Sequence, residues 1–303
     1  AGLSGATEGW LVLVRAWCLL EVEDPAGALA VLDACADARR APLSTDAADV
    51  GETGSQELVL RAELALLRFY IAAMRGDVDT RALEGVETAG WEEGGLDRSA
   101  GGTPEGFLPH VRRERWRRPQ AVACEVRAAR VCLRAINLVH TAQATADLPR
   151  LFAARVGGLE PLESLTHRAA GPWVGDIAHF LGAGGATDLA TQALQVAVRL
   201  VRGPCRLDAS GSLSVSQTTR ARCWRLMAEL ELQKGNAERG RALAERSVAA
   251  WEVDHNHPGA KANAAEVAAS YQVLAFACRL AGDRAGALAA VRQALAMVGK
   301  ADE

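Results

Sequence analysis

The sequence repeats one short pattern: an apolar helical run, a short turn that contains glycine in all copies but the first, and a second apolar helical run. In the clearest copy, apolar residues recur at helical spacing from Tyr271 to Leu280, a Gly282-Asp283 turn follows, and the spacing resumes as far as Leu295. A pair of such helices, about 30 residues long, cannot bury its apolar face alone, so neighbouring pairs must stack into a continuous core. The pattern therefore predicts an all-α chain of stacked antiparallel helix pairs.

Four further copies precede this one, and for the whole chain we expect about six helix pairs. Their turns contain Gly76-Asp77, Gly184-Gly185, Gly235-Asn236 and, in the first copy, Glu23-Asp24-Pro25. The predicted helices are 11–21 with 26–38, 55–75 with a shorter second helix, 174–181 with 190–201, and 224–234 with 237–251. Pro25 falls in the first turn of its helix, where the missing N–H group does no harm.

The composition agrees with packed helices. Half of the residues are hydrophobic but only 5% are aromatic, whereas sheets favour β-branched and aromatic residues. The net charge is −3, whereas a general nucleic-acid-binding protein carries a strong excess of basic residues. The charge therefore argues against that class.

Two stretches interrupt the pattern and divide the chain. We expect N-terminal helix pairs over 1–83, a glycine-rich acidic insertion with an arginine-rich segment over 84–118, a long helix (119–144) and shorter helices over 119–170, and C-terminal repeats over 171–303. Asp147 is a candidate N-cap for the helix after the long one. Residues 202–217 are expected to form a second loop.

The arginine-rich segment is the sharpest local charge feature, with a tryptophan inside it. An exposed solvated segment, a contact with an acidic protein and a contact with nucleic acid all fit its composition. Acidic residues in the preceding insertion could neutralise it. The segment consists of Arg112, Arg113, Arg115, Trp116, Arg117 and Arg118.

The last two helix pairs resemble tetratricopeptide repeats (TPR), at seven and four positions respectively. The family's large and small positions are occupied by Tyr271, Leu274, Ala275, Gly282, Ala287, Val291 and Ala294 in the last pair, and by Trp224, Met227, Ala228 and Gly235 in the pair before. Val291 stands where the family has an aromatic residue, Gly240 where it has alanine, and no proline closes the repeat. The turn glycines Gly185, Gly235 and Gly282 lie 50 and 47 residues apart, whereas successive tetratricopeptide repeats are spaced by about 34 residues. Residues 254–258 also resemble the longer repeats of kinesin light chains and related bacterial regulators.

The resemblance implies a right-handed α-α superhelix in which the first helix of each pair lines a groove. The groove residues would be Arg222, Arg225 and Glu229 from one pair, with Gln272, Phe276 and Arg279 from the next. A mixed groove with a positive bias and one aromatic ring would suit an extended or helical acidic peptide. The alternative is that these side chains pack against a neighbouring segment or face water.

Motifs for catalysis, cofactors or metals are not found, so we expect no catalytic, cofactor-binding or metal-binding residues. His255 and His257 lack further ligands at zinc spacing, and His140 and His179 are expected to pack within helices. The glycines of 181–188 are expected to form a turn between helices, since no phosphate-loop lysine follows.

Seven scattered cysteines predict buried free thiols and a reducing compartment, the cytoplasm or nucleus. The apolar run 10–22 is too short to span a membrane. Because the chain does not begin with Met, we expect it to be part of a longer protein or complex.

These observations predict a non-catalytic scaffold or adaptor that binds a protein or peptide within a larger assembly. One alternative is a peptide- or ligand-sensing repeat domain of a transcriptional or signalling regulator. Another is an enzyme with a cavity inside a helical toroid, which an acid–base pair or a metal in one cleft would favour.

Overall fold

The fold is all-α over the residues that the computed structural model describes, which are 5–22, 24–38, 52–78, 83, 86, 119–142, 147–201, 215–252 and 264–301. This confirms the predicted fold class for these ranges. The α-helices are α1 (Gly5–Glu21), α2 (Pro25–Ala38), α3 (Glu52–Arg75), α4 (Pro119–Thr141), α5 (Leu148–Arg155), α6 (Gly171–Ala183), α7 (Thr187–Leu200), α8 (Val215–Gln233), α9 (Ala237–Glu252), α10 (Ala264–Leu280) and α11 (Arg284–Ala301). Two short 3₁₀ turns, Glu160–Ser164 and Arg168–Ala170, precede α6.

The chain divides into two compact units. Unit 1 comprises Ala1–Asn137 with Glu160–Thr166, and unit 2 comprises Leu138–Leu159 with His167–Glu303. Unit 1 therefore contains α1 to α3, most of α4 and the first 3₁₀ turn. Unit 2 contains the end of α4 and all later helices.

Unit 2 is built from three helix pairs in sequence: α6 with α7, α8 with α9, and α10 with α11. Each second helix also packs on the first helix of the next pair, so α7 contacts α8 and α9 contacts α10. The first helices touch one another as well, α6 against α8 and α8 against α10. The helix pairs predicted for this part of the chain are confirmed, but α8 and α10 begin at Val215 and Ala264, earlier than the predicted 224 and 271.

The turns within these pairs share one backbone geometry. Gly185, Gly235 and Gly282 have φ of 83°, 82° and 78°, and Gly76 after α3 has φ of 69°. After each glycine, the next N–H group donates to the carbonyl five residues earlier, with N–O distances of 2.9 to 3.0 Å. Glycine adopts this left-handed conformation without the penalty that other residues incur. The predicted turn glycines thus close four helix ends in the same way.

A small residue lies five positions after each turn glycine of unit 2, where the second helix approaches the first. The residues are Ala190, Gly240 and Ala287. A Cβ atom at Gly240 would lie 2.6 Å from Cγ and Cδ2 of Leu232. Leu232 fills the space that a methyl group would need, so this position accommodates glycine and not alanine.

The core of unit 1 contains a buried carboxyl group that the apolar pattern did not predict. Glu125 of α4 accepts hydrogen bonds from the hydroxyl groups of Tyr70 and Thr166, the latter at 2.8 Å. Tyr70 also packs on Trp17 of α1, with ring centroids 5.7 Å apart. Glu125 shares a helix face with Val122 and Val126. A carboxylate on an otherwise apolar face is the sequence feature that could have indicated a buried, hydrogen-bonded carboxyl group.

Two local predictions need correction. Residues 215–217 were expected in a loop but form the first turn of α8, where buried Gln217 donates to the carbonyl of Ala250 at 3.0 Å. Asp147 does precede α5, but its backbone is already helical and its side chain makes no capping hydrogen bond.

Several predicted features lie outside the described residues. These are the loop over 202–214, the segment 254–258 with both of its histidines, and the insertion 84–118 apart from Val86. The carbonyl of Val86 accepts a hydrogen bond from the Arg130 guanidinium of α4.

Candidate functional site

The arginines predicted for the groove lie on α8 and are held by carboxylates of neighbouring first helices. Arg222 lies 3.7 Å from Asp176 of α6 and 3.3 Å from Glu266 of α10. Arg225 lies 2.7 Å from Glu229 one turn along α8 and 3.1 Å from Glu266. We call these five residues, Asp176, Arg222, Arg225, Glu229 and Glu266, the ion-pair network.

The ion-pair network is not positive overall, because three carboxylates face two guanidinium groups. Its arginines also differ in access: the side chain of Arg222 is 42% exposed and that of Arg225 only 14%. Arg225 is thus occupied by Glu229 and Glu266, and an incoming acidic group would have to displace one of them. The network links three first helices, α6, α8 and α10.

Sequence reasoning missed Asp176 and Glu266, the two residues that complete the network. Helical periodicity assigns a residue to a face of its own helix, but it does not identify the charge that meets it from the next helix. The spacing of the helix pairs placed neither carboxylate at a groove position. The available signal was that each is an acidic residue in an apolar first helix.

Burial shapes the chemistry of Asp176. Burial raises the pKa of its carboxyl group above the usual value, and the nearby positive charge of Arg222, with His140 and His179, offsets only part of that effect. The charge of Glu266 adds to the rise. Both histidines lie in helices as predicted, but at exposed positions instead of packed ones.

The remaining predicted groove residues form a second group further along α10. Gln272, Phe276 and Arg279 are exposed at positions that share one face of this helix. Phe276 is 44% exposed, and the Arg279 guanidinium lies 5.1 Å from the centre of its ring. Leu280, one turn after Phe276, is also exposed. We call Gln272, Phe276, Arg279 and Leu280 the α10 patch.

The α10 patch differs from the ion-pair network in charge and in apolar surface. Arg279 has no carboxylate partner among the described residues, and its contact with Phe276 is a cation–π pair. An exposed aromatic ring beside an arginine is a common composition of protein-binding surfaces.

Two further predicted features have different outcomes. The predicted basic segment, from Arg112 to Arg118, lies outside the described residues. Gly184 and Gly185 form the turn between α6 and α7, as predicted, and Gly182 lies in the last turn of α6.

The five cysteines whose side chains the structure describes are free, but they are not all buried. Cys132 and Cys223 lie inside the core, and burial raises the pKa of each thiol to about 12. A thiol in that state is a poor nucleophile at neutral pH. Cys278 is also buried, whereas Cys124 is half-buried and Cys18 is exposed on α1, so the predicted burial holds for three of these five.

The described ranges hold no group of three or more His, Cys, Asp or Glu side chains that could bind a metal ion. No helix in the described part of the chain is long and apolar enough to cross a membrane.

Comparisons with models of protein families, with curated proteins and with solved structures find no match for this chain.

Proposed function

We propose that this chain is a non-catalytic scaffold of tetratricopeptide type, whose helix pairs continue one another in a right-handed superhelix. The observation that carries the proposal is the contact between successive first helices, α6 with α8 and α8 with α10. When first helices stack directly, their outward faces form one continuous surface made from several repeats. Such a surface suits an extended or helical peptide.

The recurrent turn supports the same proposal. Three glycines with nearly equal φ close the first helices of unit 2, and a small residue follows each of them at the same distance. A repeated local geometry at fixed positions is what a solenoid requires.

We further propose that the partner binds through the α10 patch before the ion-pair network. Arg222 and Arg225 already have carboxylate partners, so a ligand gains little from them unless it displaces those groups. Phe276 and Leu280 offer apolar area, and Arg279 offers an exposed charge. A peptide with an apolar or aromatic residue next to an acidic one fits this group.

A capture experiment tests the proposal. The tagged chain is used to capture proteins from a lysate of its source cells, and the amounts are measured by mass spectrometry. The double variant Phe276→Ser with Arg279→Glu should lose about tenfold or more of its principal partner, because both the apolar anchor and the charge are removed.

Arg246→Glu is the matched control, since Arg246 is an exposed arginine on the second helix α9. It should leave capture unchanged. Equal capture by wild type and the double variant would dismiss the α10 patch. Reversing Arg222 and Arg225 is a less clean test, because it would also break ion pairs within unit 2.

A further inference from the structure

The last helix, α11, has two apolar stripes, of which only one faces the core. Ala290, Ala294 and Met297 are buried in the core of unit 2. A second stripe runs one position further round the helix: Leu288, Val291, Leu295 and Val298 are exposed by 55%, 46%, 67% and 46%. Their spacing of three, four and three residues keeps them on one face of α11. We call these four residues the α11 stripe.

Three of these four positions are covered in the other second helices. Val291, Leu295 and Val298 lie 9, 13 and 16 residues after Gly282, and the residues at those distances from Gly235 in α9 are Ala244, Val248 and Trp251. All three are buried. The corresponding residues of the preceding pair, Leu194 and Val198 in α7 and Val201 directly after it, are buried or half-buried.

The first helix of the next pair is what covers the equivalent face of α9. Val248 and Trp251 share a buried apolar cluster with Val267 and Tyr271 of α10. The indole N–H of Trp251 also donates to Oγ of Ser270 at 3.0 Å. The α11 stripe therefore has the sequence and the position of a face that receives a helix.

The charge of α11 indicates which kind of helix fits. The helix contains Arg284, Arg292 and Lys300 and no acidic residue. Arg284 is exposed in line with the α11 stripe, four residues before Leu288, and Arg292 is exposed beside it. By contrast, α9 carries acidic and basic residues together, with Arg241 paired to Glu245 at 2.9 Å.

A second copy of α11 is a poor occupant, because it would bring further positive charges to the same rim. The spacing of the stripe suits a helix with its own apolar residues at intervals of three and four. We propose that the α11 stripe is a docking site for an amphipathic helix of another protein, with aspartate or glutamate beside its apolar face. This helix would cover α11 as α10 covers α9.

Two designed peptides serve as probes. Both are helical with leucine and valine at alternating intervals of three and four residues, and one carries glutamate, the other lysine, at the flanking positions. Binding to the chain is measured by fluorescence anisotropy. We expect the acidic probe to bind about tenfold or more tightly than the basic probe.

Two variants locate the binding. Val291→Ser with Leu295→Ser should weaken the acidic probe about tenfold or more, and Arg284→Glu with Arg292→Glu should reverse the preference between probes. These residues are exposed, so circular dichroism should stay unchanged. Leu11→Ser, at a 45% exposed leucine of unit 1, is the control and should bind as wild type does.

The proposal is overturned if the probes bind equally, or if the serine variant retains its affinity. Sedimentation of the chain alone adds a second arm: a dimer that the serine variant disperses would assign the stripe to a second copy. Vesicles of phosphatidylcholine and phosphatidylserine add a third, since binding to them that the same variant abolishes would assign the stripe to a lipid surface.

Discussion

Helices α9 and α11 occupy the same place in successive pairs, yet one is covered on a face that the other exposes. Trp251 in α9 is 2% exposed, whereas its counterpart Val298 in α11 is 46% exposed. Both helices follow the same glycine turn and both carry a second apolar stripe. Three of its positions therefore belong to the repeat itself, and their burial depends on whether another helix packs on them.

The largest effect is expected at Trp251, the buried member of the comparison. Trp251→Ala should lower the free energy of unfolding by about 3–5 kcal/mol, because it removes a buried ring and leaves Ser270 without the indole donor. The counterpart Val298→Ala should change the free energy by no more than about 0.5 kcal/mol. Urea denaturation followed by circular dichroism measures both values.

A control with the same substitution, valine to alanine, is available in α9. Val248→Ala removes the same atoms as Val298→Ala but from a side chain that is 6% exposed, and should cost about 2 kcal/mol. Equal losses for the two valines would mean that the α11 stripe is covered in solution.

An intermediate effect is expected where the second helix meets the first. Gly240→Leu places a side chain against Leu232 in a helix packed on both sides, and should cost about 1–3 kcal/mol. Ala287→Leu introduces the same side chain into α11 and should fall at the lower end of that range, because Ala287 is only half-buried.

Thermal unfolding of both leucine variants gives the measurement. An unchanged melting curve for Ala287→Leu would show that the register of the last pair is wrong. A larger loss for Ala287→Leu than for Gly240→Leu would contradict the difference between the two helices.

The sequence was sufficient to predict the helices of unit 2 and their turns, because both depend on local information. Gly185, Gly235 and Gly282 fix the turns through their own backbone, and apolar spacing fixes which face is buried. Contacts between helices were not predictable in the same way. Glu266 meets Arg222 and Arg225 from a separate helix pair, and no pattern within either helix indicates the pairing.

The exposure of the α11 stripe was also hidden from the sequence. Val291, Leu295 and Val298 repeat Ala244, Val248 and Trp251 of α9 in spacing and in apolar character, so the sequence predicts the same burial for both sets. Only the neighbours decide the outcome, since Val248 is covered by α10 and Leu295 has no such helix over it among the described residues. Similar helices can therefore differ in exposure through position alone.

The smallest expected effect concerns Asp176, whose ion pair with Arg222 joins two first helices. It tests whether charge stabilises the contact between first helices, as apolar burial stabilises the contact between α10 and α9. The pKa of the Asp176 carboxyl group is raised in the folded state, mainly by burial, so the folded chain binds a proton there more readily than the unfolded chain does. Stability from this group is therefore fully present below the unfolded pKa and is lost as the pH rises through the folded one. An asparagine side chain at this position would mimic the protonated form and escape that loss.

Asp176→Asn should consequently melt at a slightly higher temperature than wild type at pH 7, with the difference narrowing as the pH falls through the carboxyl range. Differential scanning calorimetry at several pH values measures it, with Asp147→Asn as a control at an exposed carboxylate that makes no capping hydrogen bond. A lower melting temperature at pH 7 would show that the ion pair with Arg222 outweighs the burial of Asp176. In that case an ion pair would stabilise the contact between the first helices α6 and α8, whereas apolar burial stabilises the contact between α9 and α10.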